Sequence, residues 1–393
     1  MNQPPGAVVN IESVQKVLLV LPWSPVHQGG VTGVVQQLMA NWDMTQPLKP
    51  LLVVDEWEAR HMRKQADASY FRFTALPAGP LLRLPLALLR MPQTLYRTWR
   101  LLKQERVAAV NFHYAGTSPW GLAALKQLGL YRGRLVLSFH GTDVRLPEGR
   151  LDQWLRAFCY RHADAMVACS NSLADRMAQT FQLDRKNIDV VPNGVNTRIF
   201  SPEAPQTPAL PELPERYVVS IGAFIPRKAH ADLIQAFHIA FKDDASMHFV
   251  LAGADGPTLA QARQQAADLG LAGRVHFLVG LAPADVAHLL ARAQLFVQAS
   301  LAESMPLSVL EAGAVGVPVA ASDIPGHDEL VFEGATGRLF KAGDPVGCAA
   351  VMKDMVESAD ASRAQGLRLQ ERVRSSLTWE ACVRRYMALY AAA

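Results

Sequence analysis

The fold is decided by the stretch Ala299-Ser-Leu-Ala-Glu303-Ser-Met-Pro306-Leu-Ser-Val-Leu-Glu311-Ala-Gly-Ala-Val-Gly-Val-Pro-Val-Ala-Ala-Ser-Asp-Ile-Pro-Gly326-His-Asp-Glu329. It follows an apolar, strand-like run at 295–297, and Pro306 stands where a first helical position tolerates a missing N–H. The sequence therefore predicts a helix that begins near Ser304 or Met305. The free N–H groups of such a helix would face the crevice at the carboxyl end of a parallel strand, where open α/β sheets bind ligands and a phosphate is well held.

Two glutamates accompany this predicted helix. Glu303 lies just before it, and Glu311 lies inside it, eight residues further on and roughly two turns along. Two carboxylates beside an anion site need cations or sugar hydroxyls as partners, which indicates a nucleotide sugar. The alternative is that both are ordinary solvated helix residues, because glutamates often fall at such a spacing.

The same stretch carries a resemblance to a known family. A Glu, seven residues and Glu-Ala, then the small-residue strand 316–322 and the element Gly326-x-x-Glu329, resemble the donor site of the family-four retaining glycosyltransferases of the GT-B fold. The resemblance covers Val17 to about Tyr390. It implies an α/β chain with two Rossmann-like, doubly wound domains that face each other across a cleft.

The activity that the resemblance implies is transfer of a sugar. The donor would be a UDP- or GDP-linked sugar, the acceptor a hydroxyl group of a glycan or lipid-linked molecule, and the anomeric configuration would be retained. The family's commonest setting is the biosynthesis of polysaccharides or glycolipids.

The resemblance and the proline pattern together divide the chain. We expect a flexible N-terminus at 1–15, an acceptor domain at 16–200, a linker at 201–215, a donor domain at 216–375, and a C-terminal helix at 376–393 that crosses back to the first domain. Prolines occupy every third position of the linker: Pro202, Pro205, Pro208, Pro211 and Pro214. Polyproline II has three residues per turn, so this segment is predicted to be a stiff spacer, with a docking site for a proline-binding partner as the alternative.

Composition excludes several classes of protein. A length of 393 residues suggests two domains, and a net charge of +4 is too small to indicate a nucleic-acid partner. The four cysteines include no Cys-x-x-Cys, so neither a disulfide framework nor a zinc site is indicated, and a reducing cytoplasm fits best. Residues 1–13 lack the features of a signal peptide, and no apolar run is long enough to span a bilayer without a proline or a charge.

Candidate site residues in the first half follow predicted strands. Gly29 and Gly30 lie in a loop between a strand and a helix, which the resemblance places over the donor diphosphate or near the acceptor; a plain tight turn is the alternative. His140 ends a buried strand in the cluster His-Gly-Thr-Asp, and the resemblance makes it a catalytic residue against the donor sugar. Four further side chains are candidate acceptor contacts, although each is more often a packing residue: His113, Tyr114, Trp120 and Asp143.

The donor site belongs to the second half. By resemblance, Glu303 would bind hydroxyls of the donor sugar as a catalytic residue and Glu311 would bind the ribose. Cations aimed at a departing diphosphate act selectively on the transition state. The other expected donor-binding residues are Arg227, Lys228, Ser304, Met305, Pro306 and Leu307.

The chain departs from the family pattern at the diphosphate clamp. Ala223 stands where an arginine is usual and Ala229 where a glycine is common. Lys228 keeps the place of the usual lysine, and Arg227 is a candidate to supply the missing charge. The sequence contains no Asp-x-Asp, so we expect neither a metal nor another cofactor.

A basic stripe within residues 81–103 suggests a membrane contact. Arg83, Arg90 and Arg97 recur every seven residues among leucines, so they would share one face of a helix that could rest on an anionic bilayer at the inner face of the membrane. The alternative is the solvated face of a core-packing helix interrupted at Pro85 and Pro92.

Two other functions remain open at this point. A nucleotide-sugar epimerase of similar architecture would release an altered nucleotide sugar and need no acceptor. A non-catalytic nucleotide-sugar-binding protein would bind nucleotide without turnover, and Ala223 favours it.

Overall fold

The computed structural model describes residues 14–26, 29–56, 59, 62–65, 68–73, 84–205 and 210–391. Its contacts divide the chain into unit 1, which comprises Met1–Val191 and Cys382–Ala393, and unit 2, which comprises Pro192–Ala381. The division before Pro192 lies ahead of the proline-rich segment. The described part of that segment is in contact with folded chain, because Ala204 O lies 3.1 Å from His288 Nδ1 and Leu210 is buried.

A mainly parallel sheet forms the core of unit 1. Its strands in the described chain are β1 (Gln15–Leu21), β2 (Leu48–Asp55), β3 (Arg63–Lys64), β4 (Ser69–Phe71), β5 (Val107–His113), β6 (Arg134–Phe139), β7 (Ala165–Ala168) and β8 (Ile188–Val190). They lie in the order β3-β4-β2-β1-β5-β6-β7-β8, and every pair is parallel except β3 with β4. The central strand β1 is buried from Val17 to Leu21, as expected for a parallel strand covered on both faces.

Helices connect these strands. They are α1 (Gly30–Ala40), α2 (Leu84–Gln104), α3 (Trp120–Gln127), α4 (Arg150–His162) and α5 (Asn171–Phe181). Helix α2 continues through Pro92, so the interruption there, which was part of the alternative of a core-packing helix, is wrong. Arg83 lies outside the described residues, as do the side chains of residues 84–88.

Unit 2 contains a second, wholly parallel sheet. Its described strands are β9 (Tyr217–Ile221), β10 (His248–Gly253), β11 (Val275–Val279), β12 (Leu295–Gln298), β13 (Val319–Asp323) and β14 (Arg338–Lys341), in the order β11-β10-β9-β12-β13-β14. The chain order reverses between β9 and β12. A switch of this kind leaves a crevice at the carboxyl ends of the two strands, which is where open α/β sheets bind ligands.

The helices of unit 2 are α6 (His230–Phe241), α7 (Leu259–Asp268), α8 (Pro283–Arg292), α9 (Leu307–Val315), α10 (Pro345–Glu357) and α11 (Ala359–Ser376). The last helix, α12 (Trp379–Ala391), has its residues from Cys382 onward in unit 1. None of the helices within the described ranges combines the length and apolar composition that a bilayer span requires.

Helix α9 begins later than the sequence predicts. Pro306 is its N-cap in an extended conformation, and Leu307 is the first helical residue. The expected start at Ser304 or Met305 is wrong because a residue before proline is biased away from helical backbone angles. The free N–H groups at the start of the helix are therefore those of residues 307–309.

Candidate functional site

The loop between β12 and α9 is held by buried hydrogen bonds. Gln298, the last residue of β12, accepts from Ser308 Oγ at 2.6 Å and donates to Ser300 Oγ at 3.0 Å. Ser322 Oγ at the end of β13 donates to Ser300 O at 2.6 Å, and Asn193 Nδ2 donates to Met305 O at 3.3 Å. The loop that carries Glu303, Ser304, Met305 and Pro306 is thus fixed to the carboxyl ends of two neighbouring strands.

Glu303 is the centre of an ion-pair cluster. Its Oε1 lies 2.6 Å from Lys228 Nζ and its Oε2 lies 3.1 Å from Arg227 Nη1. The side chains of Glu303 and Lys228 are 8% and 13% exposed, whereas that of Arg227 is 46% exposed. Burial alone would raise the pKa of Glu303, but the two cations outweigh it and hold that pKa below its ordinary value.

Glu311 differs from Glu303 in having no ion pair among the described residues. It lies on α9, and burial raises its pKa to about 7, while the charge of Lys228 opposes that rise. A carboxylate without a salt-bridge partner in a half-buried position is suited to accept hydrogen bonds from hydroxyl groups of a ligand.

Lys228, the more buried cation of the cluster, has two small neighbours, Gly222 in space and Ala229 in sequence. Lys228 ends a 3-10 turn that precedes α6, and its Cδ lies 3.2 Å from where a Cβ on Gly222 would be, so the glycine at the end of β9 makes room for the lysine stem. Ala229, the N-cap of α6, has the left-handed φ of 51°. Ala223 carries no charge, so the cations of this loop are Arg227 and Lys228.

A second loop packs against the Glu303 loop. Gly326 has φ of +96°, and a Cβ there would lie 2.9 Å from the carbonyl oxygens of Glu303 and Ser304, so no other residue fits. His327 next to it is fully buried, and its Nδ1 lies 2.8 Å from Ser322 O. Burial lowers the pKa of His327, and the charge of Lys228 adds to this effect while that of Glu303 opposes it. Sequence reasoning missed His327, although it stands inside the quoted Gly326-x-x-Glu329 element.

Unit 1 presents a polar group at the carboxyl ends of its own strands. His140 follows β6 directly, and the Asp143 carboxylate accepts from the backbone N–H of His140 at 3.0 and 3.1 Å and from that of Gly141 at 2.7 Å. His113, the last residue of β5, places Nδ1 3.1 Å from His140 Nε2. These contacts fix the loop and the ring of His140 together.

Two expected acceptor contacts have a different place in the structure. His113 is 1% exposed and Asp143 is 5% exposed, and both are engaged with His140 or its backbone. Neither side chain is open to solvent, whereas that of His140 is half-buried. Burial of this kind cannot be read from strand-end position alone.

The remaining candidates of unit 1 lie in the segments that follow β1 and β5. Tyr114 has φ of 65°, its hydroxyl lies 3.3 Å from Thr142 Oγ1, and its ring meets Trp23 edge to face at 5.0 Å. Trp120 begins α3 and packs against Phe158, and its Nε1 is buried without a hydrogen-bond partner in the described chain.

Gly29 and Gly30 lie at the start of α1, where an added Cβ would meet no atom within 4 Å. That open space is compatible with the close approach of a ligand, but it does not require glycine.

Comparisons with known proteins agree on one family. The family model described as "Glycosyltransferase Family 4" matches residues 29–199, and "Glycosyl transferases group 1" matches residues 206–371. The chain is 30% identical over 298 residues to N-acetyl-alpha-D-glucosaminyl L-malate synthase of Bacillus anthracis, covering 73% of this chain and 75% of that protein. It is 27% identical over 371 residues, 89% of this chain and 92% of the relative, to a GDP-mannose-dependent alpha-(1-6)-phosphatidylinositol monomannoside mannosyltransferase of Mycolicibacterium smegmatis.

Solved structures show the same fold. Anabaena Alr3699/HepE in complex with UDP and glucose superposes with a TM-score of 0.71 at 17% identity, covering 96% of this chain and 100% of that one. A glycosyltransferase of Rickettsia africae superposes with a TM-score of 0.76 at 15% identity, covering 96% of this chain and 98% of that one. Two Rossmann-like units with parallel sheets are the architecture that these structures share with this chain.

Proposed function

Because the chain belongs to family four of the GT-B glycosyltransferases, we propose that it moves a sugar from a UDP- or GDP-linked donor to an acceptor hydroxyl with retention of configuration. The observation that carries the proposal is the pair of glutamates around the start of α9. Glu303 is held by Lys228 and Arg227, while Glu311 has no ion-pair partner within the described residues. Two cations, a helix N-terminus and a free carboxylate are the groups that a nucleoside diphosphate sugar requires.

The two glutamates receive different roles in this proposal. Glu311 accepts hydrogen bonds from the ribose hydroxyls. The diphosphate draws Lys228 and Arg227 away from Glu303, since it carries more negative charge than one carboxylate. Glu303 is then free to accept hydrogen bonds from hydroxyls of the donor sugar.

The cations also act on the reaction itself. Negative charge develops on the diphosphate as the bond to the sugar breaks, so Lys228, Arg227 and the N–H groups of α9 stabilise the transition state more than the ground state. Such cations do the work that a metal ion does in other transferases, and we propose that no metal is needed. Addition of EDTA should therefore leave turnover unchanged.

Arg227 takes over the charge that Ala223 does not supply. Its guanidinium lies 3.1 Å from Glu303 Oε2 and 3.3 Å from Ala302 O, so it is part of the Glu303 cluster. We expect Arg227→Gln to lower the kcat for sugar transfer at least tenfold. Arg363→Gln, which removes an exposed arginine on α11, is the matched control and should leave kcat unchanged.

The acceptor is proposed to be a glycan or lipid-linked glycan, in polysaccharide or glycolipid synthesis on the cytoplasmic side of a membrane. Names of relatives support this range, including the mannosyltransferase above and a diphosphoundecaprenol galactosyltransferase of Escherichia coli that is 25% identical over 277 residues. His140 would contact the donor sugar near the reacting carbon.

Contact with the membrane is proposed for helix α2. Leu89 is 77% exposed and Tyr96 is 57% exposed, and Arg100 and Lys103 are also exposed on this helix. Sedimentation with anionic vesicles at physiological salt tests the contact, and Arg97→Gln with Arg100→Gln should abolish it. Vesicles that fail to sediment the wild-type protein would end this part of the proposal.

A turnover assay tests the function. UDP- and GDP-linked hexoses would be incubated with candidate acceptors, and release of UDP or GDP and the anomeric configuration of the product would be followed by NMR. Transfer with retention supports the proposal. Nucleotide binding without turnover on any acceptor would favour the non-catalytic alternative that Ala223 suggests, and a changed nucleotide sugar without acceptor would indicate an epimerase.

A further inference from the structure

We propose that His113 is a positioning residue that sets the tautomer of His140, so that His140 presents its Nδ1–H as a fixed hydrogen-bond donor. The inference rests on the proposed function only for what this donor binds, namely an oxygen of the sugar substrate. It concerns a buried residue at the end of β5 that would not touch substrate itself.

The two rings are joined by a single hydrogen bond. His113 Nδ1 and His140 Nε2 are 3.1 Å apart, the ring centroids are 5.3 Å apart, and the ring planes make an angle of 25°. Only one of the two facing nitrogens can carry the proton when both rings are neutral. The tautomers of the two histidines are therefore coupled.

The surroundings of His113 Nε2, on the far side of the ring from His140, decide which of the two facing nitrogens carries the proton. His113 Nε2 is buried, and no group in the described chain forms a hydrogen bond with it. A buried N–H without an acceptor is rarer in proteins than an unsatisfied acceptor. The favoured arrangement leaves Nε2 of His113 unprotonated, so His113 Nδ1–H donates to His140 Nε2 and the proton of His140 is on Nδ1.

The surroundings keep both rings neutral. Burial holds the pKa of His113 well below its ordinary range, with His140 adding to the effect, and burial also lowers the pKa of His140 although Asp143 opposes it. The other polar groups nearby are Arg176, whose Nη2 donates to Gly141 O at 2.7 Å, and Tyr386 on α12, whose ring centroid lies 6.1 Å from that of His113. Neither supplies an acceptor to His113 Nε2.

The Nδ1–H of His140 is available to a ligand. Its ring is half-buried, and among the described residues no hydrogen-bond partner of its Nδ1 is found. The Asp143 carboxylate fixes the backbone of the loop, and the hydrogen bond with His113 orients the ring. A neutral Nδ1–H held in this way donates to an oxygen without transferring a proton, and it keeps that capacity across neutral pH.

Imidazole NMR tests the tautomer directly. Protein labelled with 15N-histidine would be studied by long-range 1H–15N correlation, which reports which ring nitrogen is protonated, and assignment would use His140→Gln and His113→Asn. We expect His140 to be protonated on Nδ1 in the wild type and in His113→Asn, whose amide replaces the donor at Nδ1. In His113→Leu the signal of His140 should move toward the Nε2-protonated form. An Nε2-protonated His140 in the wild type would overturn the proposal.

Kinetics test the consequence for the reaction. We expect His113→Leu to lower kcat at least tenfold with little change in the KM for the donor, and His113→Asn to restore most of kcat. The acid limb of the pH profile should move to higher pH in His113→Leu, because His140 loses the hydrogen bond that favours its neutral ring. A folded His113→Leu variant with unchanged kcat would contradict the role.

The chain offers a matched control. His248 Nδ1 and His276 Nε2 form a second histidine pair, 3.0 Å apart, in unit 2. His248→Leu breaks that pair and should leave kcat and the tautomer of His140 unchanged. The NMR result does not require turnover, so an absence of sugar transfer would count against the proposed function and leave the tautomer proposal to be decided by the spectra.

Discussion

At the scale of single residues, we expect the half-buried carboxyl of Glu311 to make nucleotide binding sensitive to pH. Its pKa is raised to about 7 by burial, and only the carboxylate form accepts hydrogen bonds from both ribose hydroxyls. We expect nucleotide affinity to fall by up to about tenfold per pH unit below about pH 7. Calorimetric titration at a series of pH values measures this.

The control for this prediction is Glu311→Gln. It should bind nucleotide weakly, with an affinity that no longer depends on pH in this range. A variant that keeps the wild-type pH dependence would assign the titration to another group.

The same pKa predicts an effect on stability with a definite sign. The pKa of Glu311 in the folded protein, about 7, lies above the ordinary value of 4.5. The protonated carboxyl of Glu311 therefore adds to the free energy of unfolding in full below about pH 4.5, and this contribution is lost as pH rises through about 7. At high pH the folded protein must hold Glu311 as a half-buried charge, which Glu311→Gln removes. One pKa unit corresponds to about 1.4 kcal/mol, and the effect is reduced because Glu311 is partly exposed. We therefore expect the substitution to stabilise the protein without nucleotide by about 1–2 kcal/mol at high pH. Thermal unfolding at low and high pH measures it, and an equal gain at both would contradict the assignment to Glu311.

At the scale of elements, the start of α6 carries backbone strain. Ala229 adopts φ of 51° as the N-cap of this helix, and a left-handed conformation costs a residue with a Cβ about 1–2 kcal/mol. We expect Ala229→Gly to stabilise the protein by about 0.5–1 kcal/mol, measured as a rise in the urea midpoint.

The matched control for Ala229→Gly lies two residues away. Ala231 is exposed in the first turn of the same helix, so Ala231→Gly should destabilise by about 0.5–1 kcal/mol. Loss of stability in both variants would show that the φ of Ala229 carries no strain.

The elements also show where sequence patterns stop being informative. The strands and the Glu303 loop were predictable because apolar runs, glycines and Pro306 mark them, but the first residue of α9 was not, since it depends on the backbone before Pro306. The burial of His113 was equally unreadable. It is set by neighbours far away in the chain, such as Tyr386 on α12, whose hydroxyl lies 3.2 Å from Ser138 Oγ beneath the same sheet edge.

At the scale of the whole molecule, the two sheets could be predicted from the sequence, and so could the loop between β12 and α9 that carries Glu303. The motif fixed Glu303 and Glu311 because its spacing is local. The motif could not show that Glu303 forms ion pairs with Lys228 and Arg227, because these contacts join residues 75 and 76 positions apart in the chain. Nor could it show that Glu311 has no ion pair in the described chain.

The central claim is that unit 2 binds a nucleoside diphosphate through Glu311 and the cluster around Glu303. The most direct test is a calorimetric titration of UDP and of GDP in EDTA, on the wild type, on Glu311→Gln and on the exposed control Glu357→Gln. We expect one nucleotide to bind the wild type and the control alike, with at least tenfold weaker binding to Glu311→Gln. Binding of neither nucleotide, or equal binding to all three proteins, would contradict the account.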